Sequence, residues 1–370
     1  MIHVASQAEP SSSATTQTSF GKGFVTGTWY FVALSRHVTN GSLRRFEIMG
    51  QPLLLGRSRD GEVYGLRDIC PHDAVPLSAG RIIEREGEAE TIECACDGWR
   101  FRTDGVCAQI PSLADGHAVE VESIRVRKYH LGESQGMVFV WMPPQGREDD
   151  TPADGPPVFE GADDHITVHE WMDFGTHIDH AIVALLDPSR GSVLSKHGWG
   201  RKRGWTEQVR TFAPRDFGWA MVRHQPSSGR GMCKLFGGAP AIETGFRLPG
   251  FHWEHVRLGS HYVVVLTLLT PVNEARTHVT RIIWSDHWAF GLAQPVLKAG
   301  IVACLQKESA FIELQNKGLN QDPDLVWLDG ADSQAKWYRA IKREWHEAAI
   351  HSRAFVNPVS ETVLRWNGRG

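Results

Sequence analysis

Two short stretches carry side chains that bind metals. In CPHDAVPLSAG at 70–80, Cys70 and His72 stand two apart in a proline-bounded turn. In ECACDGWRF at 93–101, Cys94, Cys96 and Asp97 crowd a second turn that ends at glycine. Thiolates and imidazoles suit iron–sulfur, iron and zinc sites, and two facing turns can clasp one metal group between them. Buried small hydrophobes would explain three cysteines but not the histidine that comes with them. Six cysteines in 370 residues are too few for a disulfide scaffold.

C-x-H followed by C-x-x-x-G-W resembles the motif of the Rieske family. Cys70, His72, Cys94, Gly98 and Trp99 match it, while Asp97 stands where the family has its second histidine, and the interval from His72 to Cys94 is longer than usual. The resemblance implies a [2Fe–2S] cluster with two cysteines on one iron and two histidines on the other. Asp97 would then ligate through a hard, charged oxygen and lower the potential. A second route runs through Cys96, two residues from Cys94 and so on the same strand face, for a three-Cys, one-His set. A zinc-type site or a cluster-free relic is the alternative to both.

A second constellation begins at VALLDPSRGSVLSKH, residues 183–197, where a helical stretch ends at Asp187-Pro188. A Rieske-like domain followed by such a region is similar in order to the α subunit of the Rieske non-haem iron oxygenases, from about residue 27 to 350. The resemblance implies that Asp187 is the aspartate bridging the cluster of one subunit to the iron site of its neighbour, and the catalytic residue here. The two histidine ligand positions fall on Arg190 and Ser195, and the third, carboxylate position on Glu308 in QKESAFIELQNKGL. Arginine stays protonated and repels Fe(II), and a neutral hydroxyl is a poor substitute for imidazole. His177 and His180 share a helix face with Asp187, but seven helical residues span about 10 Å, too far for one coordination sphere. They read as packing or hydrogen-bonding residues. His197 leaves the set one histidine short, and His252, His255, His261 and His278 fall in strands as surface or cavity-lining residues.

The elements that must position these groups divide into two kinds. From 27 to 142 the chain reads as short strands (WYFVAL, FEIMGQPLLLGRS, VYGLRD, TIECAC, MVFVWM) between Gly, Asp and Pro turns, an all-β domain. The stretch PPQGREDDTPADGPP cannot pack a core and reads as a linker, 143–160. Beyond it, periodicity predicts a helix over about 176–187, strands at 219–225, 243–256, 261–270 and 276–285, and helices at about 294–317 and 333–350. The expected fold is α+β: a disordered tail to 24, a Rieske-like domain over 25–142, an antiparallel sheet with long helices over 161–355, and a C-terminal tail from 356.

Apolar residues make up 41% of the chain, enough for two cores, and a net charge of −4 gives no basic field for nucleic acid. The run Arg201-Lys202-Arg203 reads as a solvated loop. The longest apolar run, YVVVLTLL at 262–269, is strand length, and the polar N-terminus has no leader character, so a cytoplasmic protein is expected. The family resemblance further implies mononuclear Fe(II), NADH acting through a separate reductase or ferredoxin, and a small apolar cyclic substrate hydroxylated or demethylated with O2. It also implies a homotrimer, or a heteromer with a catalytic α subunit. The rival reading, prompted by Arg190 and Ser195, is a non-catalytic homologue that binds a ligand or serves as a scaffold; a third is a one-cluster electron carrier.

Overall fold

The computed structural model describes residues 20–84, 89–114, 120–187, 205–225, 240–319, 321, 323 and 325–369. Arg190, Ser195, His197 and the basic run at 201–203 lie outside them. Three small antiparallel sheets build the first domain. Thr28–Leu34 pairs with Met137–Met142 and that with Leu131–Ser134; Leu43–Ile48, Gln51–Arg57, Val63–Arg67 and Lys128–Tyr129 form the second. The third, Arg81–Ile83, Thr91–Glu93, Arg100–Arg102 and Cys107–Gln109, carries the metal-binding turns at its end. Its core of Leu66, Leu77, Ile92, Phe101 and Cys107 also takes in Cys70 and Cys94.

The second domain is one antiparallel sheet of eight strands among the described residues. The order is Val168–Phe174, Arg276–Ser285, His261–Asn273, Phe251–Leu258, Ala241–Arg247, Gly218–His224, Trp205–Arg215 and Thr362–Arg369. Helices α1 (Ile178–Leu186), α2 (Trp288–Leu292), α3 (Gln294–Leu319) and α4 (Ser333–Ile350) accompany it. α1, α3 and α4 share a core with the sheet through Ile182, Ile301, Leu305, Tyr338, Ile341 and Phe246. The two domains join without a gap. Phe31 and Phe139 of the first pack with Phe251, Leu266 and Trp284 of the second, and Thr270 donates to the Phe31 carbonyl at 2.7 Å. No helix among the described residues is long and apolar enough to cross a membrane.

Three boundaries differ from the sequence reading. The strand expected over 243–256 is two strands, because Pro249, which lacks an N–H donor, and Gly250 make a turn between them. The stretch expected as a C-terminal tail supplies the edge strand Thr362–Arg369, paired along its length with Trp205–Arg215. The start of the ordered chain also lies earlier than 25. Phe20 packs edge-on against His180 at 4.9 Å under the Arg339 guanidinium, and Gly21 N–H donates to Asp179 at 2.7 Å. Residues 143–160 hold no helix or strand, yet they lie against the first domain, where Gln135 brackets the backbone of buried Phe159.

Asp179 centres a buried polar knot. Lys342 of α4 meets it at 2.6 Å and the Tyr338 hydroxyl donates to it at 2.5 Å, while His177 caps α1 by accepting from Asp179 N–H and stacks on Phe24. Asp179 and His180 thus work as clamps for the N-terminal segment, in keeping with the packing role expected for His177 and His180. Asp179→Ala takes the counter-charge from the buried Lys342 ammonium, which also reaches the Lys22 and Gly23 carbonyls, and is expected to cost about 3–5 kcal/mol, with much of that recovered in Asp179→Ala/Lys342→Met. Denaturant unfolding of the two variants checks it, and an unchanged midpoint in the single variant would refute the assignment.

Candidate functional site

The first turn is folded by its own backbone. Cys70 N–H donates to Val75 O at 2.9 Å, Ala74 N–H returns to Cys70 O at 3.0 Å, and Ala74 itself takes a positive φ of 58°. Its base is pinned by Asp68, fully buried, which accepts from Ser78 N–H and Oγ and from Arg45. The second turn closes a hairpin between Thr91–Glu93 and Arg100–Arg102. Cys94 N–H donates to Trp99 O at 2.8 Å, and Gly98, at φ 69°, donates back to Cys94 O. That left-handed position is why glycine follows Asp97. The turns approach so closely that a Cβ on Gly80 would lie 2.0 Å from the Glu93 carbonyl oxygen.

This frame sorts the donors into two pairs. Cys70 and Cys94 are buried in the same core cluster and unoxidised. Burial, with Cys94 beside it, pushes the Cys70 thiol up to about 11. On the solvent side, His72 Nδ1 meets the Asp97 carboxylate at 2.9 Å and Asp73 at 3.4 Å, and the His72 ring stacks on Trp99 at 4.7 Å. Together His72, Asp73 and Asp97 form a group able to hold a metal ion. Cys96 is exposed and sits with the carboxylates, 3.6 Å from Asp73, not with the other two cysteines. Asp97 and then Asp73 beside it push its thiol up to about 11, whereas the Cys96 thiol, with Asp73 and His72 alongside, holds the Asp97 carboxyl below its usual range.

The second constellation is differently arranged. Asp187 stands at the C-cap of α1. Glu308 lies on α3, on the stripe with Ile301, Cys304, Leu305 and Ile312 that turns toward the sheet. Its carboxylate accepts from the Arg281 guanidinium at 3.2 Å and from Cys304 Sγ at 3.3 Å. Arg281 is 0% exposed and also donates through Nε to Thr267 at 3.1 Å. In register across the sheet, His252, Thr267 and Arg281 form one row. Burial, and then Arg281, drives His252 down to about 4, so it is neutral at pH 7. Of the strand histidines, His252 and His255 are buried, whereas His261 and His278 lie nearer solvent on Asp286 and Asp173.

Residues 28–129 match the Rieske [2Fe-2S] domain. Over 86% of its length the chain is 28% identical to 4beta-methylsterol monooxygenase of Methylococcus capsulatus, covering 87% of that protein. It is 27% identical to the chloroplastic chlorophyllide a oxygenase of Chlamydomonas reinhardtii over 48% of this chain, and spans about a quarter of that relative's length, 25%. Its fold superimposes on dicamba monooxygenase, solved with non-heme iron and dicamba, with a TM-score of 0.68 at 19% identity, over 89% of this chain and 99% of that one. This chain is a Rieske-domain protein with the fold of a Rieske oxygenase α subunit.

In the Rieske domain the donor set fits a [2Fe–2S] cluster. Two thiols buried in one cluster would hold one iron, and the His72 nitrogen and the Asp97 carboxylate oxygen, 2.9 Å apart on the exposed side, would hold the other. Asp97 lies beside His72, and Cys96 lies on the acidic side, outside the cluster that buries Cys70 and Cys94. Of the positions expected for a mononuclear iron, the described residues supply Glu308, whose carboxylate is paired with the Arg281 guanidinium. Sequence reasoning passed over Arg281, although a charged residue amid the β-branched and aromatic strand TRIIW, in a sheet covered by helices, is a signal that a buried counter-ion must exist. Asp73 was passed over as well, since a lone carboxylate next to His72 reads as turn polarity.

Proposed function

We propose that this protein is an electron-accepting component of the Rieske oxygenase class, holding a [2Fe–2S] cluster on Cys70, Cys94, His72 and Asp97. The observation that carries this reading is the convergence of the buried Cys70–Cys94 thiol pair with the His72–Asp97 pair at the ends of two turns. When bound, the cluster supplies a one-electron relay between an external donor and an acceptor. The chain's own residues have three tasks. Cys70 and Cys94 give up their protons to become sulfur ligands in a dry pocket; the turn backbones fix their spacing; and exposed His72, stacked on Trp99, leaves one edge of the site open to a docking partner. The partner is a ferredoxin or a reductase that draws on NADH. The relatives named as oxygenases support hydroxylation or demethylation of an apolar cyclic substrate with O2 as the class reaction. Assembly as a homotrimer, or with a catalytic α subunit, in the cytoplasm, belongs to the same reading.

A second reading, a non-catalytic subunit that binds a ligand or acts as a scaffold or carrier, is favoured by one observation, the Arg281–Glu308 pair. Both readings share the cluster. Anaerobic reconstitution of the full chain with ferrous iron and sulfide is expected to give two irons and two acid-labile sulfides per chain and a coloured protein reducible by one electron. Colourless protein without sulfide would remove the cluster from either reading. Oxygen consumption that depends on an apolar cyclic compound, with a surrogate reductase and NADH, separates the first reading from the second.

A further inference from the structure

We propose that Arg281 is the built-in counter-cation of Glu308, so that the larger domain of this chain closes on an internal ion pair in place of a metal. The argument rests on the pair's surroundings and not on the cluster of the other domain.

Arg281 lies mid-strand in Arg276–Ser285, flanked in register by Thr267 on one side and Glu170 on the other, under the inner face of α3. Its side chain is wholly inaccessible. An isolated guanidinium in such a place is strongly disfavoured, and it stays only if its charge and most of its donors are matched. Three groups do this. Thr267 accepts from Nε, Glu308 accepts from NH2, and Glu254, itself buried two strands away, adds a second negative charge. NH1 has no hydrogen-bond partner among the described residues, so the Glu308 contact at NH2 and the Thr267 contact at Nε carry the compensation. Burial works against the charge, but Glu308 chiefly, with Cys304 and Glu254, outweighs it, and Arg281 holds its proton more firmly than a free guanidinium does.

From the side of Glu308 the requirement is the same. Its position on α3, four residues from Cys304 and seven from Ile301, puts a carboxylate on an otherwise apolar stripe, which calls for a cation. The family resemblance would make that cation Fe(II). Among the described residues the cation paired with it is Arg281, and the neutral His252 in the same row adds no charge of its own. A guanidinium that hydrogen-bonds one carboxylate oxygen while Cys304 Sγ donates to the other matches the carboxylate's charge and takes one lone-pair site on each oxygen, so an incoming dication would meet a fixed positive charge. The residues that match the two histidine positions of the family by sequence, Arg190 and Ser195, agree with this and are not needed for it.

Two measurements on the full chain test the proposal. The first is the ratio of iron to acid-labile sulfide after anaerobic loading with ferrous iron and sulfide. No iron in excess of sulfide is expected, and one extra iron per chain would overturn the proposal. Loss of both iron and sulfide would instead defeat the cluster assignment while still counting for this one. The second is thermal unfolding of Arg281→Met, Glu308→Met and the double variant. Each single variant leaves one buried charge unmatched and is expected to lower Tm by roughly 5–15 °C or to fail to fold, whereas the double variant folds and recovers most of the loss. A double variant no more stable than the singles would show that the two residues are not each other's counter-charge.

Discussion

Asp97→His is expected to raise the reduction potential of the reconstituted protein by on the order of 100 mV, the largest single-site redox effect available in this chain. Replacing two thiolates by two imidazoles separates plant-type from Rieske clusters by roughly 250 mV or more, so exchange of one anionic ligand for a neutral one is worth a large share of that. Asp97 is the anionic ligand in the proposed set. It lies 2.9 Å from His72 Nδ1, its backbone is set by Gly98 behind it, and the turn already accommodates a side chain pointing to the cluster edge. The substituted imidazole adds bulk on an exposed side and so leaves the buried thiols undisturbed. Potentiometric titration of the two proteins, followed in the visible spectrum, gives the answer. A shift near zero would mean that Asp97 does not ligate, and Cys96→Ala would then be the variant to examine, expected otherwise to keep the full cluster because Cys96 is turned toward Asp73.

Arg190→His/Ser195→His is expected to gain little iron(II) affinity, while adding Arg281→Met is expected to raise it by roughly 100-fold or more. The two histidines supply the imidazoles whose positions the sequence resemblance assigns, but Glu308 remains committed to Arg281. A guanidinium bonded to that carboxylate lies within about 5 Å of anything else the carboxylate binds. At an effective dielectric near 20, two unit charges at such a distance repel by about 3–4 kcal/mol, and Fe(II) carries two charges. Arg281→Met removes this repulsion and frees an oxygen of Glu308. Anaerobic Fe(II) titration of the double and triple variants, with sulfide-free protein to keep the cluster site apart, is the measurement. Equal affinities in the two would mean that Arg281 does not govern the site.

How far the sequence reaches is plainest residue by residue. The donors of the first site were legible because the chemistry is local: C-x-H and C-x-x-x-G-W each lie within one turn, and Gly98 marks the backbone that brings Cys94 back onto Trp99. The helix Ser333–Ile350 and the strand Arg276–Ser285 were legible for the same reason, since hydrophobic periodicity and end signals are properties of neighbouring residues. The sequence left open whether Asp97 or Cys96 joins the cluster. That choice depends on which side of the hairpin faces the other turn; packing buries Cys94 with Cys70 and leaves Cys96 outside, which supports the proposal of Asp97. The strand Thr362–Arg369 was hidden because its partner, Trp205–Arg215, is some 150 residues away and an edge strand with alternate side chains in water has weak periodicity of its own. Arg281 and Glu308 are 27 residues apart in sequence, on a strand and a helix whose faces only the packed domain brings together. The sequence therefore determined which donors exist and on which turns and elements they ride, because those depend on local spacing; only the tertiary structure decided which charges meet, because burial under α3 is what obliges Arg281 and Glu308 to pair.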